Sequence, residues 1–151
     1  MKEKIPIYLC AHVILRKGNH ILLNLRDQTR FASGYYSVIS GGVDPGESIK
    51  EAAIREIYEE AGLMVKEEDL HFYTLMHSQE KDGIHMSTFF ITDRWEGEVE
   101  NKEPHKHKEM RFYPIDQLPT PLIPYIAKAL EGFDKMGTTS HRYYREYRWD
   151  R

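Results

Sequence analysis

The sequence has one cysteine, Cys10, so neither a disulfide framework nor a thiolate metal site is open to it. No apolar run approaches the length of a bilayer-spanning helix, and the opening MKEKIPIY lacks the pattern of a signal peptide. A large excess of one charge sign is missing too. The formal net charge of −3 gives no general drive toward nucleic acid or an anionic membrane. Internal repeats and low-complexity linkers are absent. The expectation is a soluble cytoplasmic protein without membrane or general nucleic-acid partners. What is present agrees: 151 residues suit one domain with a sizeable core, and 40% hydrophobic with 30% charged residues describe an ordinary globule.

The chain alternates strand-like and helix-like patterns. Ile5 to Leu15 reads as a strand, Lys17-Gly18-Asn19 as a turn and Ile21 to Leu25 as the returning strand. Tyr35 to Ser40 is a short strand leading to Gly41. His71 to His77 and Met86 to Ile91 flank the turn Glu80-Lys81-Asp82-Gly83, and Met110 to Ile115 reads as a last strand. Ile126, Ala129 and Leu130 stand at helical spacing within a helix from Tyr125 to Phe133, with Pro124 in its first turn. His12, with no partner nearby in sequence, reads as a packed histidine.

The chemistry concentrates in residues 41 to 63, GGVDPGESIKEAAIREIYEEAGL. Asp44-Pro45-Gly46 makes a turn, and Ser48 with Glu51 forms a capping box, so a helix should start near Ile49. Gly62 suits the position after its end, near Ala61. Ile49, Ala53, Ile54, Ile57 and Ala61 make an apolar stripe that must face a core. Glu56, Glu59 and Glu60 lie beside it at i, i+3 and i+4, in one arc of about 100°. Three carboxylates at the edge of an apolar face repel one another and lose hydration. A hard divalent cation with oxygen ligands, Mg²⁺ above all, answers that strain. The ordinary alternative is a solvated acidic face carrying Glu51–Arg55 and Arg55–Glu59 pairs, but loop, cap and spacing arriving together favour metal.

Seven positions have a fixed spacing: Gly41, Glu47, Arg55, Glu56, Glu59, Glu60 and Gly62. With each type at about 6% usage, chance produces that set on the order of 10⁻⁹ to 10⁻⁸ per start position. Together with apolar Ile57 and Leu63 the stretch resembles the Nudix box, G-x5-E-x7-R-E-U-x-E-E-x-G-U, at every defined position. Wider similarity runs from about Ile7 to Phe133, in a domain taken as residues 1–136. The resemblance implies an α/β/α sandwich with a mixed sheet between helices. It also implies hydrolysis of a pyrophosphate bond in a nucleoside di- or triphosphate-type substrate, by water attack at phosphorus. In such a site Mg²⁺, with Mn²⁺ as a substitute, is held by Glu56, Glu59, Glu60 and the Gly41 carbonyl, with Glu103 as a further ligand. Arg55 orients carboxylates, while Glu47 and Gly62 support the loop and helix ends.

The same resemblance marks residues outside the box. Arg26 falls where MutT-like members carry a phosphate-contacting arginine, with a plain surface arginine as the alternative. Residues 89 to 98, FFITDRWEGE, are similar to the strand ending in W-E-G-E in those members. Glu103 stands eight residues past Trp95, the offset of their fourth acidic residue on a mobile loop. It competes with Glu59 for the role of general base, and Glu109 is a second loop candidate. His105 and His107 raise a zinc reading that fails for lack of further ligands at zinc-like spacing, leaving them to line the loop or touch phosphate.

Substrate markers are mostly missing. Ser40 replaces a common proline. The proline of ADP-ribose pyrophosphatases is absent, since none occurs between Pro45 and Pro104. Ser78, Gln79 and Glu80 stand where dinucleoside polyphosphate hydrolases carry a tyrosine, and Leu122 replaces a guanine-selecting asparagine. Sugar or ADP-ribose conjugates, dinucleoside polyphosphates and RNA 5′ ends remain alternative substrates, and a nucleotide-sensing module is the alternative outside enzymes. The tail, residues 137–151, interleaves four arginines with Tyr143, Tyr144, Tyr147 and Trp149. Such residues can stack on bases, but packing against the chain's own domain or a twin subunit in a homodimer is the favoured reading.

Overall fold

The computed structural model describes residues 2–133 and 143–148. Eight strands and two helices follow in order: β1 (Ile7–Lys17), β2 (His20–Arg26), β3 (Tyr36–Ser37), β4 (Ile39–Gly42), α1 (Ile49–Ala61), β5 (His71–Glu80), β6 (Gly83–Thr92), β7 (His107–Pro114), α2 (Pro124–Leu130) and β8 (Tyr144–Arg148). The strands form one mixed sheet in the order β3-β2-β1-β6-β5-β8, with β4 pairing β1 and β7 pairing β2. β1 runs parallel to β6 and β5 parallel to β8, while the other pairs are antiparallel.

Side chains that alternate across a strand feed two separate cores. From β1 and β2, Val13, Leu15 and Leu22 join Ala52, Ala53, Ile57 and Ala61 of α1 on one face. Ile14, Ile21 and Leu23 join Ile126, Ala129 and Leu130 of α2 on the other. This is the α/β/α sandwich anticipated above. His12 is packed, as expected. It is 2% exposed, and its Nε2 lies 3.0 Å from the Tyr125 hydroxyl.

Several boundaries differ from the sequence reading, each for a pairing reason. Tyr35 to Ser40 is not one strand: β3 pairs with β2 whereas β4 crosses to β1, with Gly41 opposite Ala11. The last-strand reading for Met110 to Ile115 starts too late, because His107 already pairs with Arg26. Nor is that strand the last. β8, from the tail, adds to the outer edge of β5, where Ser78 faces Tyr147. The helix read as ending at Phe133 stops at Leu130, although Phe133 is still buried. The boundary at residue 136 and Trp149 lie outside the described residues.

Packing on the home domain accounts for the described part of the tail. Arg145 is buried, and its Nη1 donates to the carbonyls of Lys128 (2.7 Å) and Glu131 (3.2 Å) at the C-terminal end of α2. Its Nη2 donates to the Tyr73 hydroxyl at 3.2 Å. A fixed cation is favourable there, at the negative end of the helix, where the Lys128 carbonyl also accepts from the Glu131 N–H at 3.3 Å.

Candidate active site

Helix α1 carries most of the site, and its ends are fixed as the sequence dictates. Ser48 Oγ accepts from the Glu51 N–H at 3.0 Å, while Glu51 Oε1 accepts from the Ser48 N–H at 3.0 Å. At the other end Gly62 adopts φ 71°, a left-handed conformation in which its N–H donates to the Tyr58 carbonyl. The acidic arc is thereby locked against β4.

The members of the arc differ in exposure. Glu60 points inward and is 4% exposed, whereas Glu59 is about half exposed. Glu56 lies between them and packs on Gly41 so closely that a Cβ at Gly41 would fall 2.0 Å from Glu56 Oε1. The glycine that opens the box is therefore required by the carboxylate that follows it fifteen residues later. Burial, first, then Glu56 and Glu103 push the Glu60 carboxyl well above the usual carboxylate range, against a backbone hydrogen bond from Ser40.

Arg55 organises the outer side. Its Nε donates to Glu47 Oε2 at 2.7 Å and its Nη2 to Glu47 Oε1 at 2.9 Å, a bidentate pair. Nη1 donates to Glu56 Oε1 at 2.8 Å and reaches Glu59 Oε2 at 3.4 Å, while Nη2 also donates to the Gly42 carbonyl. The guanidinium holds the Glu47 carboxyl down at about 2. Glu47 in turn accepts from the Asp44 N–H, tying the loop to the helix.

The second half of the site comes from residues 100 to 107, and here the sequence reading needs correcting. Read as part of a mobile loop, that polar segment is instead tied down by hydrogen bonds. Glu100 and Lys102 donate backbone N–H groups to the carbonyls of Ala61 and Glu60, and Asn101 Nδ2 donates to the His107 carbonyl at 2.6 Å. Glu103 is held facing the helix. His107 is not on a loop touching phosphate but buried at the start of β7, 3% exposed, with Nε2 3.5 Å from Glu60 Oε1. One ligand atom each from Glu60, Glu103 and His107 falls within 4.8 Å of the others. Among the described residues, Glu60 Oε2 and His107 Nδ1 are buried without a hydrogen-bond partner. Burial keeps the His107 imidazole down at about 4, so it is neutral near pH 7. A buried carboxylate with an orphan oxygen beside a neutral imidazole and a second carboxylate is a donor set for a divalent cation. His107 was missed because its partners are 47 and 4 positions away in sequence, so no local spacing betrays it.

Glu109, the other loop candidate, is committed elsewhere. It accepts from the Tyr113 hydroxyl, and its Oε1 lies 2.7 Å from Arg111 Nε. His105 is exposed. Arg26 lines a cleft of about 630 Å³ whose walls include Ser40, Gly41, Phe31, Glu80 and Tyr125. Its Nε donates to the Phe31 carbonyl at 3.1 Å, so it also props the loop between β2 and β3. The cleft thus opens beside the strand on which Glu56 and Glu60 pack.

Among the described residues no helix is long and apolar enough to cross a membrane. Residues 9–133 match the family described as NUDIX domain. The chain is 33% identical over 122 residues to the NAD-capped RNA hydrolase NudC of Edwardsiella ictaluri, covering 80% of this chain and 45% of that protein. It is 35% identical over 121 residues to an ADP-ribose pyrophosphatase of Methanocaldococcus jannaschii, covering 78% and 70% respectively. The chain therefore spans less than half the length of the NudC relative it matches. In fold it resembles the MutT NUDIX hydrolase of Burkholderia pseudomallei, with a TM-score of 0.77 at 23% identity over 83% of this chain and 97% of that one. The box, the sandwich and these relatives agree: the chain belongs to the Nudix family.

Proposed function

We propose that this chain hydrolyses the pyrophosphate bond of a nucleotide in which a nucleoside diphosphate is extended by a further group, using a divalent cation. The observation that carries the proposal is the cluster of buried Glu60 and His107 with partly exposed Glu103, set beside Gly41 and Glu56. The carboxylates of the donor set suit Mg²⁺ or Mn²⁺, the imidazole tilts the set toward Mn²⁺, and Glu56 is the neighbouring carboxylate that completes it. When bound, the cation neutralises pyrophosphate charge and favours in-line displacement.

The protein's own groups have distinct tasks. Arg26 in the cleft supplies a positive donor for a phosphate oxygen, while Arg55 holds Glu47, Glu56 and Glu59 in register and does not face the cleft's lining. Glu103 accepts a proton from the attacking water as its oxygen bonds to phosphorus and the bridging P–O bond breaks. Its backbone is anchored, which supports that role without a large loop movement. Glu59, half exposed on the outer side, is the second choice. The compartment we propose is the cytoplasm, where a lone cysteine stays reduced.

Names of the relatives favour substrates with a group on both sides of the pyrophosphate, such as ADP-ribose or a NAD cap. The test is a panel of nucleoside triphosphates, ADP-ribose, NAD⁺ and dinucleoside polyphosphates with Mg²⁺, products resolved by chromatography. Turnover of none by a folded, Mg²⁺-supplied protein would favour the alternative, a sensing module that binds without cleaving.

A further inference from the structure

The cleft beside Gly41 does not end at its own walls. A side cavity of about 240 Å³ adjoins it, and the two share Phe31, Glu80, Ile123 and Tyr125. The side cavity adds Tyr35 from the loop before β3 and Tyr147 from β8. Register explains how a residue from the tail reaches the substrate cleft. On β5, Met76, Ser78 and Glu80 share one face, and Met76 lies in the core beneath α2. β8 runs parallel beside it with Tyr147 opposite Ser78, so Tyr147 emerges next to Glu80 with its ring against that same core.

The lining has a definite chemical character. Four aromatic rings, from Phe31, Tyr35, Tyr125 and Tyr147, surround a single carboxylate. Phe31 and Tyr35 are large aromatics left substantially open to water, at 52% and 37% exposure. Among the described residues no hydrogen bond reaches the Glu80 carboxylate, although burial pushes its carboxyl up. An ionised carboxylate only accepts, so it matches the N–H₂ of an amide or exocyclic amine on a flat ring. A space of about 240 Å³ has room for one planar heterocycle.

We infer that the C-terminal strand builds a second ring-binding subsite, in which Tyr147 and the facing aromatics hold the distal heterocycle of a dinucleotide pyrophosphate while Glu80 accepts from its amino or amide group. The inference rests on the proposed pyrophosphohydrolase reading and adds the substrate class: two heterocycles joined through one pyrophosphate. The main cleft takes the first nucleoside and the pyrophosphate lies toward Gly41.

NAD⁺ and ADP-ribose test it directly, since they share one pyrophosphate and differ by the nicotinamide ring. kcat/KM for both is measured with Mg²⁺ for wild type, Tyr147→Ala, Tyr147→Phe and Glu80→Gln, with melting curves to confirm folding. Wild type should favour NAD⁺ by about tenfold or more, the scale of one base stacked on an aromatic ring. Tyr147→Ala and Glu80→Gln should each erase most of that preference, through KM; Tyr147→Ala, at a position outside the main cleft's lining, should leave ADP-ribose within about threefold, and Tyr147→Phe keeps the preference. Equal use of both by wild type, equal losses on both in the variants, or turnover of mononucleotides with none of NAD⁺ would overturn the subsite. If Tyr147→Ala fails to fold, Glu80→Gln on the hairpin end of β5 decides alone. Failure to cleave any nucleotide would instead sink the pyrophosphohydrolase reading.

Discussion

Gly41→Ala is the substitution whose consequence the geometry defines most sharply. Its backbone is not in the left-handed region, so alanine brings no conformational penalty there and acts only through its methyl group. That methyl would lie 2.0 Å from Glu56 Oε1, 2.2 Å from Cδ and 2.7 Å from Cγ, where ordinary contact begins near 3.4 Å. Glu56 must retreat by more than about 1 Å, and a misplacement of that size at a reacting centre is worth about 10²-fold in rate. That corresponds to about 2.7 kcal/mol of barrier. The neighbouring Gly42→Ala is the control, since nothing lies within 4 Å of its added methyl. The assay is kcat under saturating Mg²⁺ on the best substrate of the panel, below the melting temperature of both variants. Gly41→Ala should lose about two orders of magnitude with a smaller change in KM, and Gly42→Ala should stay within about threefold. Shortening the crowded partner should partly relieve the clash, so Glu56→Asp ought to cost less on top of Gly41→Ala than it does alone. A folded Gly41→Ala protein keeping a third or more of wild-type kcat would refute the placement of Glu56 in the reaction.

Other outcomes follow from the same contacts. Glu103→Gln should lower kcat by orders of magnitude and flatten the acidic limb of the pH–rate profile, whereas Glu109→Gln, already engaged by Tyr113 and Arg111, should do little; a reversal of the two would show Glu109 to be the loop carboxylate. Truncation after Met136 should preserve Mg²⁺-dependent hydrolysis of ADP-ribose while lowering stability, because Arg145 no longer caps α2; the lost charged hydrogen bonds are each worth about 1.5–3 kcal/mol, and an unchanged melting temperature would contradict the capping. The buried His12 has its imidazole lowered from 6.5 to about 3, chiefly by burial. Between those limits the unfolded chain binds a proton that the folded chain refuses, so stability is full above about pH 6.5 and falls as pH drops, by up to about 1.36 kcal/mol per pH unit. Urea melts of His12→Gln should lack that part of the slope, and parallel curves from pH 7 to 4 would show that His12 is not held neutral.

Much of this was legible from local pattern. The turn, capping box and C-terminal glycine of α1 are chemistry between residues a few positions apart, so its bounds could be read directly. The role of Arg55 as organiser of carboxylates was legible in the same way, since Glu47, Glu56 and Glu59 all lie within eight positions of it. What the sequence hid depends on long-range pairing. His107 looked like a loop residue because the β2–β7 register that buries it is set by Ile21 to Leu25, some eighty positions earlier. Glu59 and Glu60, adjacent in sequence, look equivalent until the core claims one of them. Tyr147 could be read as an interface aromatic, but only the parallel pairing of β8 with β5 shows which cavity it meets.

The central claim is that the Glu60–Glu103–His107 cluster supports cation-dependent attack of water on a nucleotide pyrophosphate. It is tested most directly by single-turnover hydrolysis in ¹⁸O-water with the metal-stripped protein, before and after Mg²⁺ is restored, for wild type and Glu60→Gln. The account predicts no cleavage without the cation, and cleavage on its return with one ¹⁸O in a single phosphate product. It predicts loss of that activity in a folded Glu60→Gln protein. Undiminished cleavage by the stripped protein, or by Glu60→Gln, would contradict it.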